Sequence, residues 1–126
     1  MLDARTAEKL ARTRTVDLVT TGRRSGRRVT VEIWMFHFED RFIITGTPGV
    51  RDWLANIRAD PAVTIQTRYG DFPAVVREVA DPGYRRRFFM HRAATWYSTQ
   101  AGLDELVDTA PMLEVDFNRD GPGQVA

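Results

Sequence analysis

Arg28-Val29-Thr30-Val31-Glu32-Ile33-Trp34-Met35-Phe36-His37-Phe38-Glu39-Asp40-Arg41-Phe42-Ile43-Ile44-Thr45-Gly46 reads as two strands joined by a two-residue turn. Val29, Val31 and Ile33 alternate with Thr30 and Glu32, the period-two pattern of a strand with one buried face. From Trp34 to Phe38 the alternation stops and both faces are apolar, so this half of the strand is covered on both sides. Glu39-Asp40 makes the turn, and the second strand of the pair ends at Thr47-Pro48-Gly49, where proline and glycine break it.

Outward from this hairpin the pattern continues. Thr15–Thr20 is β-branched and apolar up to Gly22 and predicts a strand; before it, Leu2–Arg14 carries a weak apolar face and predicts a helix. Val50–Ala59 predicts a short helix with Trp53, Leu54 and Ile57 on one side, stopped before Pro61. Val63–Tyr69 alternates, Gly70-Asp71 signals a hairpin turn, and Phe72–Val79 returns. Asp81-Pro82 offers an N-cap followed by proline at the first helical position, opening a helix with Tyr84, Phe88, Phe89 and Arg92 on an aromatic face. Leu103–Thr109 predicts a further helix and Met112–Phe117 a last strand. Hairpin-linked strands with helices inserted among them imply an α+β antiparallel barrel of about six strands with peripheral helices. Residues 1–118 are expected to form a single domain. Residues 119–126, with Gly121-Pro122-Gly123 and no apolar periodicity, are expected to form a flexible tail.

With 43% hydrophobic and 10% aromatic residues, the 126-residue chain has the composition of a globular protein with a real core. It lacks cysteine, which excludes disulfides, thiolate catalysis and Cys-based metal sites. His37 and His91 are the only histidines and stand in no metal-binding spacing, so no metal site is expected; His37 reads as a half-buried strand residue. No export signal or membrane-length apolar run is visible, which makes the cytoplasm the expected compartment. Net charge is +1, and of 18 basic residues only Lys9 is a lysine. That bias suits a GC-rich coding sequence, and it has chemical weight only where guanidinium groups cluster.

They cluster in Thr20-Thr21-Gly22-Arg23-Arg24-Ser25-Gly26-Arg27-Arg28. Two glycines, a hydroxyl and four arginines can converge on one phosphate, and the same residues suit a solvated basic turn equally well. The spacing is not that of a Walker A loop. The balanced overall charge and the lack of a wide basic face argue against nucleic acid as partner. Ser25 has no neighbouring base and no nucleophile-elbow context, so hydrolase chemistry is not expected. Trp96-Tyr97 reads either as a core corner or as an aromatic wall over a flat ligand.

Taken together, Thr20–Gly26, Glu32-Ile33-Trp34 and Asp52–Pro61 followed by strand Val63–Gln66 resemble the deazaflavin-dependent nitroreductases. These belong to the split-barrel flavin and deazaflavin oxidoreductases, which include the pyridoxamine-phosphate-oxidase-like proteins. The likeness covers about residues 15–80. It implies a split β-barrel, coenzyme F420 as cofactor with FMN as the alternative, and hydride transfer to a flat, electron-poor quinone, enone or nitro compound. It further implies that Arg23, Arg24 and Ser25 hold the cofactor phosphate, with Arg28 beside them. Thr45, Gly46 and Thr47 would line the ring through backbone amides, Trp34 would face ring and substrate, and Arg51, Trp53 and Asn56 would lie on the helix that closes over the cofactor. A homodimer is implied by the same analogy, as is, for some members, a non-catalytic carrier or sensor of flavin or haem. No catalytic side chain is named by these motifs. Arg28 and Val29 stand where the family often has a proline and then a basic residue, and the Gly46–Arg51 connection is shorter than in many members.

Overall fold

The computed structural model describes residues 2–117. Its strands are β1 (Thr15–Thr21), β2 (Arg28–Phe38), β3 (Arg41–Thr45), β4 (Ala62–Thr67), β5 (Gly70–Glu78) and β6 (Met112–Asp116). All neighbours are antiparallel, and the sheet closes into a barrel in the order β1-β2-β3-β6-β5-β4. The helices are α1 (Ala4–Ala11), α2 (Asp52–Ala59), α3 (Pro82–Met90), α4 (Thr95–Ser98) and α5 (Leu103–Thr109), with a 3-10 turn at Arg92–Ala94. This is the α+β antiparallel barrel that the order of strands and helices implies. The segment expected to form a tail lies outside the described residues. No described helix is long and apolar enough to cross a membrane.

The two-sided run of β2 has a direct structural counterpart. Met35 and Ile44 point into the barrel with Leu18, Ile65 and Leu113, and the barrel ends are closed by Leu10 of α1 and by Trp53, Leu54 and Ile57 of α2. Phe36 and Ile43 point outward into a second core with Tyr84, Phe88, Phe89, Tyr97 and Leu106 of the α3–α5 layer. The strand also changes partner along its length: Arg28–Trp34 pair with β1, and Met35–Phe38 pair with β3. Beyond Ile44, β3 no longer follows β2, and this parting is the split in the barrel.

Helix ends were legible to within two residues except at α1, expected over Leu2–Arg14 and found at Ala4–Ala11, and the short α4 was not expected as a helix. Asp81 caps α3 by accepting from the Gly83 N–H at 2.9 Å, with Pro82 behind it. Asp3, unforeseen, caps α1 by accepting from the Thr6 N–H at 2.7 Å, a bond that also holds its carboxyl below the usual aspartate range, and the cap sets the start of α1 at Ala4. The β4–β5 turn falls at Arg68-Tyr69 rather than Gly70-Asp71. Thr67 closes it by accepting from the Tyr69 N–H and donating to the Gly70 carbonyl, and Gly70, at φ 129°, opens β5. Arg92 lies beyond the end of α3 and is exposed, whereas Arg85 is buried. His37 is exposed rather than half-buried, its ring against Phe42 with centroids 4.8 Å apart.

Glu39 and Asp40 join β2 to β3 with φ of 50° and 61°, both left-handed. A left-handed non-glycine residue costs about 1 kcal/mol or slightly more. Glu39 is bound to Arg87 of α3 through two bonds of 2.9 and 3.0 Å, whereas no such bond holds Asp40. Asp40→Gly is therefore expected to stabilise the chain by about 1 kcal/mol in urea unfolding.

Candidate functional site

Where β2 and β3 part, the structure opens a cavity of about 470 Å³. One side is the β2 segment Val31–Trp34; opposite it the chain turns through Thr45, Gly46 and Thr47 to Arg51 and Trp53 at the start of α2, and Trp96 and Tyr97 of α4 complete the wall. The aromatic side is an edge-to-face cluster: Trp34 lies 5.7 Å from Trp96 and 6.3 Å from Tyr97, and those two lie 5.2 Å apart, centroid to centroid. Trp34 and Trp96 are 37% and 49% exposed, a large apolar area open at a concave site.

The polar part of the cavity is sparse. The buried Thr45 hydroxyl donates to the Pro111 carbonyl at 2.5 Å, tying the end of β3 to the start of β6. Among the described residues the Thr47 N–H makes no hydrogen bond, whereas the register of β3 with β6 directs the Gly46 N–H toward the Pro111 carbonyl. The Arg51 guanidinium lies against Gly46, where an added Cβ would stand 3.2 Å from its Cζ, and donates to Thr47 Oγ1 at 2.8 Å and to the Gly49 carbonyl at 3.2 Å. Arg51 has no carboxylate partner among the described residues, so a cation without a counter-ion faces an aromatic cavity.

Burial pushes the Tyr97 phenol up to about 12, with the Arg14 and Arg51 cations opposing the shift. Tyr97 is thus a neutral donor at any physiological pH. Tyr84, which donates to the Phe38 carbonyl at 2.8 Å, is likewise pushed up to about 12 by burial. Both groups hold their protons longer in the folded chain than in the unfolded one, where tyrosine ionises near about pH 10. Their contribution to stability is therefore full below pH 10 and is lost as pH rises through 12. The double variant Tyr84→Phe/Tyr97→Phe is expected to show a smaller fall in melting temperature than the unsubstituted chain between those values.

The arginine turn sits beside this cavity, behind α2. The Gly22 N–H donates to the Arg27 carbonyl, the Gly26 N–H to the Gly22 carbonyl, and the Arg27 N–H to Ser25 Oγ, so much of the loop's hydrogen-bonding capacity is used internally. Asn56, 3% exposed, is the post that holds the loop to α2. Its Oδ1 accepts from Arg23 N at 3.1 Å and Arg23 Nη1 at 2.9 Å, and its Nδ2 donates to Thr20 Oγ1 at 3.2 Å. Arg23 Nη2 also donates to Asp52 Oδ1 at 3.3 Å. Arg24, Arg27 and Arg28 are exposed and have no ion pair among the described residues.

Of the residues singled out from the sequence, Trp34, Thr45, Gly46, Thr47, Arg51 and Trp53 come together around the cavity. Arg23 and Asn56 meet each other one turn along α2, and Arg24, Ser25 and Arg28 stay on the solvent side of the loop. Val31, Glu32 and Ile33 line the cavity without having been singled out as site residues; Glu32 and Ile33 stood in the motif Glu32-Ile33-Trp34, and Val31 only in the strand alternation. Trp96-Tyr97 serves both roles left open, Tyr97 in the second core and Trp96 at the wall. Among the described residues no group of three His, Asp or Glu side chains is placed to hold a metal ion.

Comparison with solved structures places the fold among known ones. A conserved hypothetical protein from Mycobacterium tuberculosis is similar with a TM-score of 0.68 and 17% identity, covering 94% of this chain and 82% of that one. A structure described as a domain-swapped dimer is similar at 0.62 and 20%, covering 89% and 94%. An F420-H2 dependent reductase is similar at 0.59 and 19%, covering 81% and 93%. At such identities the likeness speaks for the fold. No curated protein matches the sequence. The sequence model of one family, described as F420H(2)-dependent quinone reductase, matches residues 1–108. With most of its length matched, and with a split barrel whose cavity gathers the aromatic and glycine positions of the motifs, the chain belongs to the F420H(2)-dependent quinone reductase family.

Proposed function

We propose that the chain is an oxidoreductase that uses reduced coenzyme F420, with FMN as the alternative, to reduce a flat, electron-poor quinone, enone or nitro compound. The observation that carries this reading is the cavity at the split. Its volume lies within the range of roughly 300–1,000 Å³ usual for small-molecule and cofactor sites, its walls are aromatic, and the backbone of Gly46 and Thr47, with the Thr47 amide free among the described residues, lies at its edge. A reduced deazaflavin, when bound, supplies a hydride.

The chain's residues supply the rest. Trp34, Trp53 and Trp96 hold a planar group and keep water from it. The Thr47 amide and Arg51 favour negative charge developing beside them, with Gly46 letting the backbone approach closely. Tyr97, kept protonated by burial, offers a phenol O–H to the cavity. On the loop, Arg24, Ser25 and Arg28 grip an anionic tail together with Arg27, and Arg23 reaches the same tail from its anchor on Asn56. A homodimer belongs to this reading, since one similar structure is a domain-swapped dimer.

Exposed charge-assisted contacts contribute on the order of 1 kcal/mol each. The triple variant Arg24→Ala/Arg27→Ala/Arg28→Ala is thus expected to weaken cofactor binding by about 10- to 100-fold at low salt, with a smaller effect at high salt. Unchanged affinity at both salt concentrations would leave the loop as a turn only. The function itself is tested by steady-state oxidation of reduced F420 with menadione as acceptor. Acceptor-dependent oxidation is the expected result; cofactor binding without it would mark a carrier or sensor instead.

A further inference from the structure

Four consecutive residues, Val31, Glu32, Ile33 and Trp34, line the cavity. Successive side chains of a strand point to opposite faces: Val31 and Ile33 pack on the barrel core, and Trp34 packs edge-on against the outward-pointing Phe36. A cavity touched by all four lies at the edge of the strand, against its main chain.

The register tells which main-chain groups point there. In an antiparallel pair, residues that exchange both hydrogen bonds with one neighbour alternate with residues whose N–H and C=O point the other way. The Met35 N–H donates to the Arg14 carbonyl at 2.7 Å, and the Arg27 carbonyl accepts from Gly22 at 2.7 Å, so both residues face the β1 side. Val29, Val31 and Ile33 share that side, and Thr30 and Glu32 face away from it. On the far side β3 pairs with β2 only from Met35 onward, and neither Thr30 nor Glu32 makes a hydrogen bond there to the loop that follows β3. Glu32 therefore presents one N–H and one C=O, side by side and without a partner among the described residues, to an aromatic cavity.

We propose that the Glu32 main chain is the docking edge for a cyclic imide, the –CO–NH–CO– side of the planar redox ring, which would pair with it as an added strand pairs with a sheet edge. Its carbonyl accepts from the imide N–H, and its N–H donates to an imide carbonyl. This inference rests on the proposed function and adds to it the ring's orientation: imide side on β2, remainder of the ring toward Trp96 and Tyr97.

The test uses lumiflavin and 3-methyllumiflavin, which differ only in whether the imide nitrogen carries its proton, with binding followed by quenching of their fluorescence. Methylation is expected to weaken binding at least about tenfold, the effect of removing one donor and stranding its acceptor. Glu32→Pro deletes the one N–H at this position and leaves the β1 ladder intact, because that N–H faces away from β1. It is expected to weaken lumiflavin binding comparably, whereas Thr30→Pro, which deletes the equivalent outward N–H two residues earlier and outside the cavity lining, is expected to bind as the unsubstituted chain does. Equal affinity for the two probes overturns the docking edge whether or not Glu32→Pro folds, and leaves the proposed function standing. Failure of both probes to bind overturns the cavity as a ring site, and the proposed function with it.

Discussion

Replacing Arg85 with methionine is expected to cost about 3–5 kcal/mol of folding stability, as expected when a buried charged group is removed from the partners built around it. Arg85 leaves the exposed face of α3 and enters the second core. There its guanidinium donates to the carbonyls of Val107 at 2.6 Å, Val79 at 3.0 Å and Leu106 at 3.3 Å, and to that of Ala110. Three of the four acceptors belong to the C-terminal end of α5, where the helix dipole favours a cation; of these the Leu106 carbonyl also accepts from the Ala110 N–H. Burial holds the guanidinium below the usual arginine range, so these carbonyls act as its solvent. Methionine keeps the apolar stem and supplies no donor, leaving the carbonyls in a dry core. Urea unfolding should show a lowered midpoint with little change in slope, with Arg85→Lys intermediate. A loss under about 1 kcal/mol would mean that water replaces the guanidinium there. The α3–α5 layer also carries Trp96 and Tyr97, so cofactor affinity is expected to fall with stability in this variant.

The second large effect is expected at Asn56. Asn56→Leu strands the Thr20 hydroxyl and both Arg23 donors that its amide serves, at a cost of about 2–4 kcal/mol for a buried network losing its centre. It also uncouples the arginine turn from the helix that brings Arg51 and Trp53 to the cavity, so binding should weaken without loss of any ligand-contacting group. Asn56→Asp separates the two roles of the amide. It keeps the acceptor for Arg23, now charge-assisted, and Thr20 turns from acceptor to donor. Stability and binding close to those of the unsubstituted chain are expected for Asn56→Asp, and a loss as large as that of leucine would show that the amide N–H alone matters. Unfolding and binding titrations on both variants decide between these.

What the sequence made legible was local. The two-sided run Trp34–Phe38 implied cover on both faces because a strand shows both faces within five residues, and the Asp81-Pro82 pair marked a helix start through its own chemistry. The split was legible only through the family resemblance and not in the strand pattern, because it arises where β2 exchanges one neighbour for another, and which strand lies beside which is set by the whole barrel. Arg85 was missed for a related reason: an arginine in a run of arginines reads as surface, and its burial depends on carbonyls from a helix about 20 residues further along. The turn at residue 70 was misplaced by two positions, because a threonine hydroxyl, not glycine alone, closes it. At the site, Trp34, Thr45, Gly46, Thr47, Arg51 and Trp53 of the cavity wall were singled out only through the family resemblance, because residue type and spacing alone suit an ordinary core equally well. The Asn56–Arg23 post was not legible, since the same arginine suits a phosphate or an amide equally well.

The account stands on a planar redox ring lodging at the parting of β2 and β3, and the most direct measurement is a titration of the purified chain with F420 and, separately, with FMN, following the fluorescence of ligand and tryptophan. Saturable binding of F420 is expected at one site per chain, with FMN weaker, together with quenching that diminishes when Trp34 or Trp96 is replaced by phenylalanine. Absence of binding by both, or binding with tryptophan emission unchanged, would contradict it.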